Sequence, residues 1–210
     1  MPRTARELVD GGYFHILNRG NNKLEVFHSR LDYLVFIGLM REAKSRFPLS
    51  LLAYCLMPNH FHFIIHAQRA NNIQAFVHWA MTCFARHYHA SSKTSGHLWQ
   101  GRFKSLPIDR EEYLIIALRY VEGNPMRAGL VDSNRNWEWS SLANHCARNY
   151  SGLTDPPPFY LADGWLELVD MPLTAKEFEA IGKKEGQPPS GAVPKDQPKK
   201  SQAMPTRFKA

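Results

Sequence analysis

Residues 49–66 read LSLLAYCLMPNHFHFIIH, two apolar runs joined by Pro58-Asn59. Strand-length runs split by a turn dipeptide fold as a β-hairpin. In the second run, Phe61, Phe63 and Ile65 fall on one face and His60 and His62 on the other. The phenylalanine face must be buried, so the hairpin needs other elements to cover it. The two imidazoles then stand on the opposite face, about 7 Å apart at Cα. Such a pair can bind a metal or sit on a solvated sheet face, and the pair alone does not decide.

The flanking segments supply the cover. GGYFHILNRGNN (11–22) predicts a strand over residues 13–18 that ends in a Gly/Asn turn. SRLDYLVFIGLMREAKSRF predicts a helix with Ser29 as N-cap and Leu31, Leu34, Val35, Leu39 and Met40 at helical spacing, stopped by Pro48. NNIQAFVHWAMTCFARHYHA (71–90) predicts a second helix, and RFKSLPI (102–108) a short strand. The order strand, helix, strand, strand, helix, strand is an α+β, ferredoxin-like pattern: a split βαβ antiparallel sheet with helices on one face. The other face is expected to be free for a site.

A third helix, DREEYLIIALRYVEG (109–123), is expected to be capped by Asp109 and ended by Pro125. WEWSSLANHCARNY (137–150) is expected to pack back on the body. The expected domains are a core at 1–150, a C-terminal extension at 151–182 opened by DPPPF, and a basic disordered tail at 183–210. Residues 183–210 hold seven Lys and Arg against two Asp and Glu, so five of the seven net positive charges sit there. Such a tail attracts phosphates without reading sequence. Three widely spaced cysteines argue against a disulfide framework or a thiolate zinc site. No apolar run has membrane-spanning or signal-peptide character, so the expected location is cytoplasmic, with no membrane partner.

The third helix also holds Tyr120 and, four residues on, Asn124, on one stripe with Tyr113 and Ile116. An ordinary half-buried aromatic and a helix C-cap before proline would give the same spacing. Pro125 pushes Asn124 away from helical geometry, which weakens the stripe. If these two residues do meet the histidines, the set is two imidazoles, a carboxamide oxygen and a phenol. Mg²⁺ or Mn²⁺ would suit such donors and leave positions for phosphate oxygens. The phenol would then be the nucleophile.

AYCLMPNHFHFII, GHLWQGRFKS, LRYVEGNPMRAGLV and WEWSSL occur in that order. Together they resemble the REP-associated tyrosine transposases, which are single-tyrosine HUH transposases (His, bulky apolar residue, His). The resemblance covers roughly residues 9–145. It implies a metal-dependent endonuclease and strand transferase on single-stranded or hairpin DNA formed by palindromic repeats. By the same resemblance Tyr120 is the nucleophile, and His60, His62 and Asn124 hold the Mg²⁺ or Mn²⁺. The products are a 5′-phosphotyrosine and a free 3′-OH, made by a monomer or a homodimer.

DNA contacts are expected from Trp99, stacking on an unpaired base, and from Gln100, Arg102 and Lys104. The opposing reading is a structural loop with Trp99 buried and its charges solvated. Arg127 is expected at the scissile phosphate or paired with a carboxylate such as Glu122. Asn59 reads as a turn former. The competing functions are a non-catalytic ferredoxin-like nucleic-acid-binding protein and a small-phosphoester hydrolase that uses water.

Overall fold

The computed structural model describes residues 8–150 and 152–181; the expected basic tail, from residue 183 on, lies outside the described residues. Strands β1 (Tyr13–Arg19), β2 (Ser50–Met57), β3 (His60–His66) and β4 (Lys104–Ile108) form one sheet in the order β2-β3-β1-β4, every neighbouring pair antiparallel. Helices α1 (Arg30–Arg46) and α2 (Ala70–Ser92) complete the split βαβ order. Ser29 caps α1 through a capping box with Asp32.

Alternation along the strands sends Phe14, Ile16, Leu56, Phe61, Phe63 and Ile65 to one face. There they meet Phe36 and Met40 of α1 and Phe76 and Phe84 of α2. Each fully buried phenylalanine stabilises the fold by about 1.5–3 kcal/mol relative to exposure.

The second face is not left open. Helix α3 (Glu111–Glu122) lies across it, with Leu114, Ala117, Leu118 and Val121 packed against Ala53, Cys55 and Ile64. The physical reason is in β2: SLLAYCLM is apolar without alternation, which marks a strand buried on both sides. The N-cap of α3 is Arg110, whose side chain makes no cap bond, and not Asp109 as expected. Glu111 and Glu112 in the first turn favour the helix dipole instead.

Gly123 ends α3, and a short helix α4 (Asn124–Arg127) follows with Pro125 in its first turn. Proline has no N–H to satisfy there. Residues 139–141 cover the outer edge of β2, with Leu56 N donating to Trp139 O and Ser141 N to Tyr54 O at 2.9 Å each. Pro107 sits in β4, the opposite edge, where proline is tolerated. Helices α5 (Leu142–Ala147), α6 (Trp165–Asp170) and α7 (Ala175–Ala180) close the second face; α7 has no buried residue of its own. No helix among the described residues is long and apolar enough to cross a membrane.

The turn after β1 is tight. A Cβ on Gly20 would lie 2.2 Å from Leu24 O and 2.8 Å from Val26 Cγ1. Gly20→Ala is therefore expected to destabilise the protein by about 1–3 kcal/mol. Chemical denaturation checks this, and an unchanged midpoint would contradict it.

Candidate active site

The sheet register assembles the site. His62 pairs with Leu17 of β1 and Cys55 of β2, and His60 with Arg19 and Met57, so all six side chains share the second face. The two imidazole centroids are 4.9 Å apart. Both rings are buried.

Each ring is held by a neighbour. Asn59 Nδ2 donates to Lys23 O at 3.1 Å, which turns its Oδ1 toward His60 Nδ1 at 2.7 Å. His60 Nδ1 therefore carries the proton, and Nε2 is the nitrogen that can ligate. Lys23 and Asn22 reach this arrangement with φ of 62° and 52°. His62 Nδ1 lies 2.9 Å from Nε2 of His15, which stands on the same face of β1. A metal-binding histidine needs this kind of support on its other nitrogen.

Tyr120 comes from the last turn of α3. Its ring centroid lies 5.9 Å from that of His62 and 5.7 Å from that of His15, edge-on to both. The Arg127 guanidinium stands 4.6 Å from the same centroid and donates to Tyr120 O. Burial lowers the Arg127 pKa to about 10, which leaves it charged at neutral pH. Phe178 of α7 covers another side of the tyrosine at 6.5 Å. Tyr120 is only 3% exposed, but its walls are two imidazoles and a guanidinium as well as carbon.

Asn124 is fully buried at the start of α4. Its Nδ2 donates to Tyr120 O at 3.0 Å, and its Oδ1 has no hydrogen-bond partner. A buried, unsatisfied carboxamide oxygen calls for an explanation, and a cation is one. Among the described residues no group of three His, Cys, Asp or Glu is placed to hold a metal.

Glu122 does not pair with Arg127. Fully buried, it accepts from Ser141 Oγ and from Trp165 Nε1 at 2.8 Å, and its Oε1 lies 2.8 Å from His145 Nδ1. Burial alone would lower the His145 pKa, but the Glu122 charge and hydrogen bonds outweigh it and hold it above the usual imidazole value.

The expected DNA-contact loop divides. Trp99 is 8% exposed, packs with Phe36, Phe61 and Phe84, and donates from Nε1 to Met81 O at 3.0 Å. It is a packing residue, a correction to the expectation of stacking, because an indole flanked by three phenylalanines is better buried than solvated. Gln100 is exposed and accepts from Arg19 Nε. Arg102 and Lys104 are exposed, and Lys104 shares the face of Leu17 and His62.

Sequence reasoning missed three supporting residues. His15 was signalled by its period-two alignment with Leu17, and Asn59 by adjacency to the histidine pair. Glu122 carried no local signal.

The sequence profile described as "Transposase IS200 like" matches residues 9–124, more than half of the chain. A Haemophilus influenzae protein provisionally assigned as a REP-associated tyrosine transposase is 24% identical over 156 residues, covering 68% of this chain and 86% of that protein. A solved structure of a REP-associated tyrosine transposase bound to a REP hairpin superposes with a TM-score of 0.57 at 18% identity, covering 76% of this chain and 95% of that one. The folds therefore agree, and the matched span ends on Asn124, taking in the histidine pair and Tyr120. The chain belongs to the IS200-like transposase family.

Proposed function

We propose that this transposase is a divalent-metal-dependent endonuclease and strand transferase of the HUH type. Its substrate is single-stranded or hairpin DNA of palindromic repeats, cut through a 5′-phosphotyrosine at Tyr120. The observation that carries this reading is the edge-on approach of the Tyr120 ring to His62, whose ring pairs with that of His60. The REP hairpin held by the structural neighbour supports the substrate class.

The donor set fits a metal: two imidazoles, each supported at Nδ1, and the unsatisfied Asn124 oxygen. Held by His60, His62 and Asn124, Mg²⁺ or Mn²⁺ would supply Lewis acidity to a phosphate oxygen. The chain's own residues do the rest. The Tyr120 oxygen forms a bond to phosphorus, the bond from phosphorus to the 3′ oxygen breaks, and that oxygen takes up a proton. The phenol proton leaves as the new bond forms. Arg127, charged and against the ring, favours the phenolate. Arg19 and Lys104 flank the histidines on the same face and suit phosphates.

The phosphoryl group is passed to a new 3′-OH in the reverse sense, so a strand can be rejoined without an external energy source. Access requires movement, because Tyr120, His60 and His62 are all buried. The cover with least packing is α7, joined to α3 through the Arg119–Glu177 ion pair and Phe178.

Tyr120→Phe tests the reading. Cleavage of hairpin repeats on a denaturing gel is expected to fall about 10³-fold or more, with DNA binding kept. Undiminished cleavage would exclude tyrosine chemistry. Asn59→Ala, which releases the His60 ring, is expected to weaken Mn²⁺ binding about 10- to 100-fold. Titration calorimetry checks this, and unchanged affinity would remove Asn59 from the site.

A further inference from the structure

His15 stands in β1, an inner strand of the sheet, and is buried. Its cross-strand partners are Ile64 of β3 and Leu106 of β4, so an apolar side chain lies on either side of it. Leu17, two residues on, pairs with His62, which makes His15 and His62 diagonal neighbours on one face. Aromatic side chains reach across such a diagonal. The two ring centroids are 5.0 Å apart, in keeping with the 2.9 Å contact between His15 Nε2 and His62 Nδ1.

One proton lies in that contact, and its owner decides what His62 can do. With the proton on His62 Nδ1, neutral His62 presents a lone pair at Nε2. With the proton on His15 Nε2, His62 accepts at Nδ1. Neutral His62 then carries its own proton on Nε2 and has no lone pair there for a cation. A group that accepts from Nδ1 therefore selects the ligating form. Asn59 Oδ1 accepts in the same way from His60 Nδ1.

The His15 ring also reaches the nucleophile. Its centroid lies 5.7 Å from that of Tyr120, with 67° between the planes. Tyr120 and His62 are 5.9 Å apart at 89°. With the 5.0 Å between the imidazoles, the three centroids mark a triangle of nearly equal sides. Arg127 and Phe178 also touch Tyr120, but of the two β1 side chains nearest His62 it is His15, not Leu17, that brings a ring against the phenol.

We propose that His15 is a positioning residue for strand cleavage: its Nε2 holds His62 in the ligating tautomer, and its ring spaces the Tyr120 phenol from the histidine pair. The proposal rests on the DNA-cleaving reading of the site and adds a residue that couples the ligand to the nucleophile. His15 touches neither the phosphate nor the ion; it acts through His62 and Tyr120.

Two variants separate these roles. His15→Phe keeps a ring and loses the acceptor, whereas His15→Gln keeps an amide oxygen that can accept and loses the ring. Titration calorimetry with Mn²⁺, in the absence of DNA, is expected to show about 10- to 100-fold weaker binding in His15→Phe, and binding restored to within about threefold of wild type in His15→Gln. Single-turnover cleavage of a hairpin repeat at saturating Mn²⁺ is expected to run the other way, about tenfold slower in His15→Gln than in His15→Phe. A residue that only fills the core would shift both variants together. Equal Mn²⁺ affinities, or equal cleavage rates, in the two variants overturn the proposal and leave the DNA-cleaving reading standing. Should either variant fail to fold, the wild-type protein still decides. Isotope-labelled histidine NMR of the metal-free protein is expected to find the His62 ring proton on Nδ1, and a proton on Nε2 of that ring overturns the proposal. Wild-type protein that binds Mn²⁺ yet leaves the hairpin uncut overturns the DNA-cleaving reading and this proposal with it.

Discussion

Converting both His60 and His62 to alanine is expected to abolish Mn²⁺-dependent strand cleavage, a loss of about 10²–10³-fold or more. Each ring is buried and carries a dedicated support, Asn59 for His60 and His15 for His62. Asn59 holds the His60 ring with Nε2 as the nitrogen that can ligate. A second readout separates chemistry from folding: Mn²⁺ bound by the wild-type protein, followed by electron paramagnetic resonance, should be lost in the double variant while its circular dichroism is kept. Retained metal dependence in the variant would place the ion elsewhere. The water-based hydrolase shares this prediction, so the histidines alone do not choose the nucleophile.

Glu122→Ala is expected to have the largest effect on stability, about 3–5 kcal/mol, because it leaves His145, Ser141 and Trp165 without their shared buried acceptor. For a protein of this size that corresponds to a fall in Tm on the order of 10 °C. Glu122→Gln, which keeps an acceptor and loses the charge, should cost less. The cluster joins α3, α5 and α6, so its loss also loosens the helix that carries Tyr120. The pH dependence has a definite sign. The folded His145 pKa is raised above its unfolded value of about 6.5, so the pair's contribution is complete below that value. It is lost as the pH rises through the folded value. Glu122→Gln should flatten that dependence, and a stability profile unchanged by it would contradict the assignment.

Much of this was legible in the chain. The period-two run HFHFIIH placed the histidines opposite the phenylalanines, and the β3 register agrees. Ser29 announced the start of α1, and the element order announced the split βαβ sheet. Tertiary partners decided the rest. Trp99 looked available because its loop is charged, yet three phenylalanines distant in sequence claim it. Glu122 was offered as a partner for Arg127, and its true partners lie in α5, in α6 and just ahead of α5. Pro125 was expected to push Asn124 out of helical geometry, yet Asn124 opens α4 after the break at Gly123, with its carboxamide against Tyr120 O. The closed second face was written in the unbroken apolar run of β2, which spacing arguments about the histidines passed over.

Attack on phosphorus by Tyr120 leaves the protein covalently joined to its DNA. Trapping the protein on a hairpin repeat with Mn²⁺, digesting the complex and locating the DNA-linked peptide by mass spectrometry reads that bond. One nucleotide-bearing peptide is expected, LIIALRYVEGNPMR or a fragment of it, modified at Tyr120 and absent from Tyr120→Phe. Cleaved DNA with no covalent adduct, or an adduct on another residue, would contradict it.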